Sequence, residues 1–172
     1  MKKLNLLISS LVLISLASCS SGNNALPTLP IDNNQAQQSS VNNKFSNFKS
    51  DLWSAQSRAR SWDLSAELVR AESRFISENG FANWTFYFKS PFKRNAFKVD
   101  LGFGNEVINS FFGREIREFD IRVDADKAIE KAKTQGLKKF PISEMTLEKR
   151  SVSAQWEIRN SDGTFRISAE GI

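Results

Sequence analysis

Apolar and polar positions fall into regular periods from residue 44 onward. In "KFSNFKSDLWSAQSRARSWD", Phe45, Phe48, Leu52, Ala55, Ala59 and Trp62 recur at steps of three and four. That spacing predicts a helix over 45–60, one face of which is apolar. The same step can be carried through Ala66 and Val69, so a helix running on to about residue 78 is the alternative. From Glu67 the period becomes two. Val69, Ala71, Ser73 and Phe75 are small or apolar, and Arg70, Glu72 and Arg74 between them are charged. This is the pattern of a half-buried strand. Asn79-Gly80 then marks a hairpin, because both residues accept positive φ. Trp84, Phe86 and Phe88 alternate with Thr85, Tyr87 and Lys89, "PFKRN" makes a turn, and Phe97, Val99 and Leu101 point back inward. Gly102 and Gly104 break that strand. "EVINSFF" and "REFDIRV" offer further short strands, the second with Phe119, Ile121 and Val123 in alternation.

The pattern then begins again. Asp124 is placed to cap a helix whose apolar face is Ala125, Ala128, Ile129 and Ala132, and Gly136 stands where a terminating glycine belongs. Met145 with Leu147, Ala154 with Trp156 and Ile158, and Phe165 with Ile167 and Ala169 mark three strands, the last two joined by a turn at Ser161–Gly163. The two halves answer each other approximately. "WTFYF" matches "WEIR", and "FKVDLG" matches "FRISAEG". Trp84 and Phe97 are 13 positions apart, Trp156 and Phe165 only 9, so the first copy has the longer turn. The expected fold is α+β: two approximate helix-plus-antiparallel-sheet (αβββ) repeats, 45–123 and 124–172, forming either two small sheets or one shared sheet.

Residues 1–43 have a different character. Lys2 and Lys3 precede the apolar run "LNLLISSLVLISL" at 4–16, which has signal-peptide length and is too short for a spanning helix of about 20 residues. Leu16, Ala17, Ser18 and Cys19 follow. A branched residue, two small ones and a cysteine resemble the bacterial lipobox. That resemblance implies a diacylglyceryl group on Cys19, cleavage before it, and a mature chain of 154 residues, 172 less the 18 of the signal. Palmitate-type chains at one sulfur give stable membrane anchoring once two or more are present. Residues 20–43 are rich in Ser, Asn, Gln and Pro and carry one charge, Asp32, so 19–44 is expected to be a flexible linker. Ser20 is not the aspartate that retains lipoproteins in the inner membrane of many two-membrane bacteria. By that rule of the family the destination is the outer membrane.

Composition narrows the chemistry. The chain has no histidine, and its only cysteine is Cys19. Ser-His-Asp and Cys-His nucleophiles and His-based zinc sites are therefore out of reach. The net charge of +5 becomes +3 without Lys2 and Lys3, a mild excess that demands no nucleic acid. No phosphate loop, metal-ligand spacing or nucleophile elbow is present, so no cofactor, metal or catalytic residue is expected. Acid pairs such as Asp124 with Asp126, or Glu115 with Glu118, suit helix capping and surface charge better than acid–base work. Trp84 and Trp156 suit a core better than a ligand platform. The basic turn "KSPFKRNAFK" holds the ligand-binding candidates Lys89, Phe92, Lys93 and Arg94, with Lys98 beside them. It interleaves cations with an aromatic and could meet headgroups or an acidic partner.

The stretches "SWDLSAEL", "GFANWTFYF", "AFKVDLG", "ADKAIEKAKTQG" and "QWEIRNSDGTFRISAEGI" look like tandem PepSY-like modules of bacterial envelope proteins, which have a cystatin-like character. The resemblance covers roughly residues 45–172. The family's closing strand is represented here only by "AEGI", which leaves the last strand short. The resemblance implies a membrane-anchored, non-catalytic binding or inhibitory module of the envelope with a protein or peptide partner, taken at an apolar sheet face or edge. The alternative is a carboxylate-dependent cell-wall enzyme or its accessory subunit. That enzyme would need a deep pocket with two acids roughly 5–10 Å apart.

Overall fold

The computed structural model describes residues 47–171 except 79, 81 and 109–112. The signal segment 1–18, Cys19 and the linker 19–44 lie outside the described residues, as does Asn79 of the expected hairpin. Gly80 beside it has φ +81°, the left-handed region that glycine enters without strain.

The element order is α1 (Phe48–Trp62), β1 (Glu67–Ile76), β2 (Trp84–Lys89), β3 (Ala96–Asp100), β4 (Phe103–Val107), α2 (Ala125–Thr134), β5 (Ile142–Glu148), β6 (Gln155–Asn160) and β7 (Gly163–Ser168). All seven strands join one antiparallel sheet in the order β4-β3-β2-β1-β5-β6-β7. Of the two arrangements open to the sequence, the shared sheet is the one formed. Helix α1 lies against β1 to β4, and α2 lies against β6 and β7. Phe48, in the first turn of α1, joins the two halves. Its ring centroid is 4.7 Å from Trp84 on β2 and 5.0 Å from Trp156 on β6, both edge-on. Both tryptophans are core residues, as their strand periods predict. Aromatic pairs of this geometry are worth about 0.5–1.5 kcal/mol beyond the area they bury.

Local chemistry explains where the elements stop. Ala55 and Ala59 let α1 approach the sheet closely, and both are buried. The helix runs two residues past Arg60 and does not continue toward 78. Asp63 is extended (φ −156°, ψ 126°), and its Oδ1 accepts the Ser65 N–H at 2.8 Å, an Asx turn that competes with another helical turn. In α2, Asp124 Oδ1 accepts the Ala125 N–H at 2.7 Å, and Ala125, Ala128, Ile129 and Ala132 are all buried. Gly136, with φ +112°, follows the helix end.

Three sequence expectations need correction. Val69, Ala71, Ser73 and Phe75 do not share a face. Leu68 sits opposite Phe88 and Arg70 opposite Tyr87, so Val69 is the extra residue of a bulge. Leu68 takes its place in the core, and Val69 is buried outside that cluster, beside Gly113 and Arg114. A Cβ at Gly113 would stand 3.0 Å from the Val69 carbonyl oxygen, a tight contact that a larger residue could take only if the backbone gave way by a few tenths of an ångström. At the far end of β1, Phe75 has φ +56° and is exposed, while Ile76 turns inward opposite Ile142. Leu101, expected inward, is exposed at φ +47°, and Gly104 lies within β4 rather than ending a strand. Finally, 117–123 is no strand. Asp120 Oδ2 accepts the Arg117 N–H at 2.8 Å, and Glu118–Asp120 close a single 3₁₀ turn that leaves Phe119 exposed. Ile121 and Val123 are buried as expected, and the N–H groups of Arg122 and Val123 both reach the Ala169 carbonyl at 2.8 Å.

Candidate functional site

The face of the sheet away from the helices carries charges that neutralise one another. Tyr87 on β2 donates to Glu72 on β1 at 2.9 Å, and Glu72 pairs with Arg70 at 2.8 Å. Arg70 also reaches Glu144 and Glu148 on β5. Glu144 takes Arg159 from β6 at 3.0 Å, and Glu157 takes Arg159 and, at 3.0 Å, Arg166 from β7. With Arg150 on Glu148, four arginines meet four glutamates along one chain of contacts. Each such pair contributes about 0–1 kcal/mol, but together they leave little unmatched charge for a ligand.

The β4 edge differs. It is the terminal strand; Phe103 on it is 79% exposed, and Leu101 and Ile108, which flank it, are 69% and 85% exposed. Edge strands are usually blunted by charge, proline or bulges. The single charge of β4, Glu106, is exposed and accepts from Trp62 Nε1 of α1 at 2.7 Å and from Asn95 Nδ2 of the β2–β3 turn at 2.9 Å. The hydrogen bonds from Asn95 and Trp62, in that order, hold its carboxyl below the usual carboxylate range. Next to the hairpin tip, a cavity of about 220 Å³ opens between α1 and the sheet, lined by buried Ala55, Trp84, Phe86 and Val99 with Asp51 and Arg58. The opposite edge, β7, keeps Phe165 and Ile167 against the core.

The ligand candidates of the basic turn do not converge. Phe92, Lys93 and Arg94 are exposed at the β2–β3 turn, and Lys93 Nζ lies 5.8 Å from the Trp62 ring centroid. Lys98 pairs with Asp100 at 3.0 Å. Lys89 is half-buried, and burial lowers its pKa. It lines a broad groove of about 740 Å³ together with Arg114, Arg117 and Lys149. Those three lay beyond sequence reasoning because they come from the segment between β4 and α2 and from just after β5, far apart in the chain.

Carboxylates in the cavities stand singly or are paired with arginine. The apolar cavity of about 300 Å³ between α1 and residues 116–121 has Glu118 alone. The depression that holds two acids, Glu148 and Glu157, measures about 80 Å³, and arginines occupy both. Asp124 caps α2. Burial, then the charges of Asp124 and Glu130, raise the pKa of Asp126. Among the described residues no three His, Cys, Asp or Glu side chains converge on a metal position, and no helix is long and apolar enough to cross a membrane.

No protein-family model, curated protein or solved structure matches the chain.

Proposed function

We propose that this chain is an envelope lipoprotein whose folded body is a non-catalytic binding module taking an extended segment of a protein partner along β4. The body is best regarded as two αβββ halves of PepSY-like character, β1-β2-β3 and β5-β6-β7, meeting at the β1–β5 seam, with β4 added beyond β3. The observation that carries the binding role is the terminal strand β4, with Phe103 exposed on it and Leu101 and Ile108 exposed beside it. Strand addition supplies main-chain hydrogen bonds, and alternate side chains of the partner meet Phe103 and Val107 on one face. The alternative, a carboxylate enzyme, has weaker support, because the acids in the cavities stand singly or hold arginines.

A photo-crosslinking residue at Asn105, on β4, should give one dominant adduct in the native envelope. The same residue at Thr164, on β7, should not. Phe103→Lys, which places a gatekeeper charge on the edge, should remove the adduct without unfolding the protein. Equal adducts from both edges would sink the reading. The anchor is tested separately: a palmitate analogue should label the chain, and Cys19→Ala should abolish the label.

A further inference from the structure

We infer that the groove beside Lys89 is a contact surface for the anionic headgroups of a lipid bilayer. Four cations line it: Lys89 from the end of β2, Arg114 and Arg117 from the segment between β4 and α2, and Lys149 just after β5. The backbone fixes that convergence. The Arg114 N–H donates to the Lys149 carbonyl at 2.8 Å, and the Ile116 N–H to the Leu68 carbonyl at 2.7 Å, so this segment is pinned to the end of β5 and to β1. Among the described residues, Glu115 is the single carboxylate lining the groove. Lys149 is committed to Asp120, while among the described residues neither Arg114 nor Arg117 stands within ion-pair distance of a carboxylate, although the Arg117 charge also acts on Asp120. This sets them apart from Arg70, Arg150, Arg159 and Arg166 on the outer sheet face, which are all paired with glutamates.

Apolar side chains stand among these cations. Phe119 and Val152 line the groove at 63% and 82% exposure. Phe92, on the turn whose Pro91 lines the groove, is 78% exposed. Two large exposed hydrophobic groups, Phe119 and Val152, thus stand among the cations of this groove. A small soluble anion would use the cations and leave the hydrophobic groups in water. A bilayer surface uses both, since cations meet the phosphates and apolar side chains enter the interface. The Arg117 guanidinium over the Phe119 ring, 5.9 Å from its centroid, joins the two kinds of contact in one element. The inference relies on the envelope reading above only for the presence of a membrane.

The test uses the full chain incorporated into nanodiscs of phosphatidylcholine alone or with phosphatidylglycerol. Backbone amide exchange over 113–119 and 149–153 should slow by about threefold or more in the anionic discs. Arg114→Glu with Arg117→Glu should abolish the slowing, and the milder Arg114→Gln with Arg117→Gln should reduce it. Lys127→Glu with Lys131→Glu, the same charge change on α2, should leave it intact. Far-UV circular dichroism checks that each variant is folded. Equal exchange in both discs, or equal loss in the α2 variant, would overturn the inference. So would the same slowing produced by millimolar inorganic phosphate in zwitterionic discs, which would assign the groove to a soluble anion. Failure of the anchor would appear in the palmitate labelling instead, so the two ideas fail separately.

Discussion

Lys149 donates to both carboxylate oxygens of Asp120 at 2.9 Å, and this pair fastens the 3₁₀ turn at 118–120 to the end of β5. The Asp120 side chain is 5% exposed and that of Lys149 18%. Removing one partner of such a pair leaves a charge without compensation, which costs about 3–5 kcal/mol when burial is complete. Lys149→Met should therefore destabilise the protein by about 3 kcal/mol in urea unfolding at pH 7, and Asp120→Asn, which leaves no buried anion, by less. Equal costs would show that the turn is held by something else.

The same pair sets an acid limit. Burial alone would raise the Asp120 pKa, but the Arg117 N–H and the Lys149 ammonium hold it below the ordinary value. A lowered carboxylate pKa stabilises the fold above its unfolded value near pH 4, and that contribution is lost as pH falls through the folded value. In Lys149→Met the opposing hydrogen bond is gone, so the acid unfolding midpoint should move to higher pH. A midpoint that stays put would remove Asp120 from the account.

Phe97 is held between two neighbours. Its ring stacks on Trp62 with centroids 5.2 Å apart and planes 13° apart. On the β4 side Gly104 leaves the space it needs, for a Cβ there would stand 2.7 Å from Phe97 Cε1 and closer still to Cζ. Gly104→Ala must push the ring off Trp62, at a cost of about 1–2 kcal/mol. In a Phe97→Leu background the same change should cost almost nothing. A double-mutant cycle without coupling would show that Gly104 serves some other end.

What the chain revealed on its own followed from strong local periods. The Asp124 cap, the four-residue apolar face of α2 and the Trp-centred strands β2 and β6 all depend on neighbours in sequence, and the structure contains them as expected. The failures came where distant segments decide. Val69 left the core face because the bulge between Leu68 and Arg70 puts Leu68 in its place. The alternation at Phe119, Ile121 and Val123 suited a strand, but Asp120 found Lys149, 29 positions away, and drew the backbone into a turn. The basic groove is illegible for the same reason: Lys89 belongs to the basic turn, whereas Arg114, Arg117 and Lys149 share no spacing with it.

Leu101 is an unusual choice for its backbone. It stands at φ +47° with Gly102 at +80°, both central residues of a two-residue hairpin joining Asp100 to Phe103. Turns of this kind favour Asn-Gly, because a left-handed residue with a larger side chain costs roughly 1–2 kcal/mol. The side chain recovers little by packing, since it is 69% exposed. Leu101→Asn should thus stabilise the body by about 0.5–1 kcal/mol. If the leucine is kept for the partner at β4, the same substitution should diminish the Asn105 photo-adduct. Gain of stability with an undiminished adduct would mean that Leu101 plays no part in recognition.

Tyr87 offers a direct optical test of the outer charge chain, because it is the single tyrosine of the sequence. Its hydroxyl donates to Glu72 Oε1 at 2.9 Å. Burial, and then the negative charge and hydrogen bond of Glu72, push its pKa up to about 12, while Arg70 and Arg74 pull the other way. The raised value favours the protonated phenol in the folded state. Its contribution to stability is therefore complete below about pH 10, the unfolded value, and disappears as pH rises toward 12. Phenolate absorbance near 295 nm should stay flat through pH 10 in the folded protein and rise about two units later. Glu72→Gln removes the charge, so the titration should begin earlier, and Arg70 should retain Glu144 and Glu148 as partners. A phenolate signal appearing at the ordinary pH in the native protein would show that Tyr87 and Glu72 are not joined, and the chain of contacts across the sheet would then begin at Glu72.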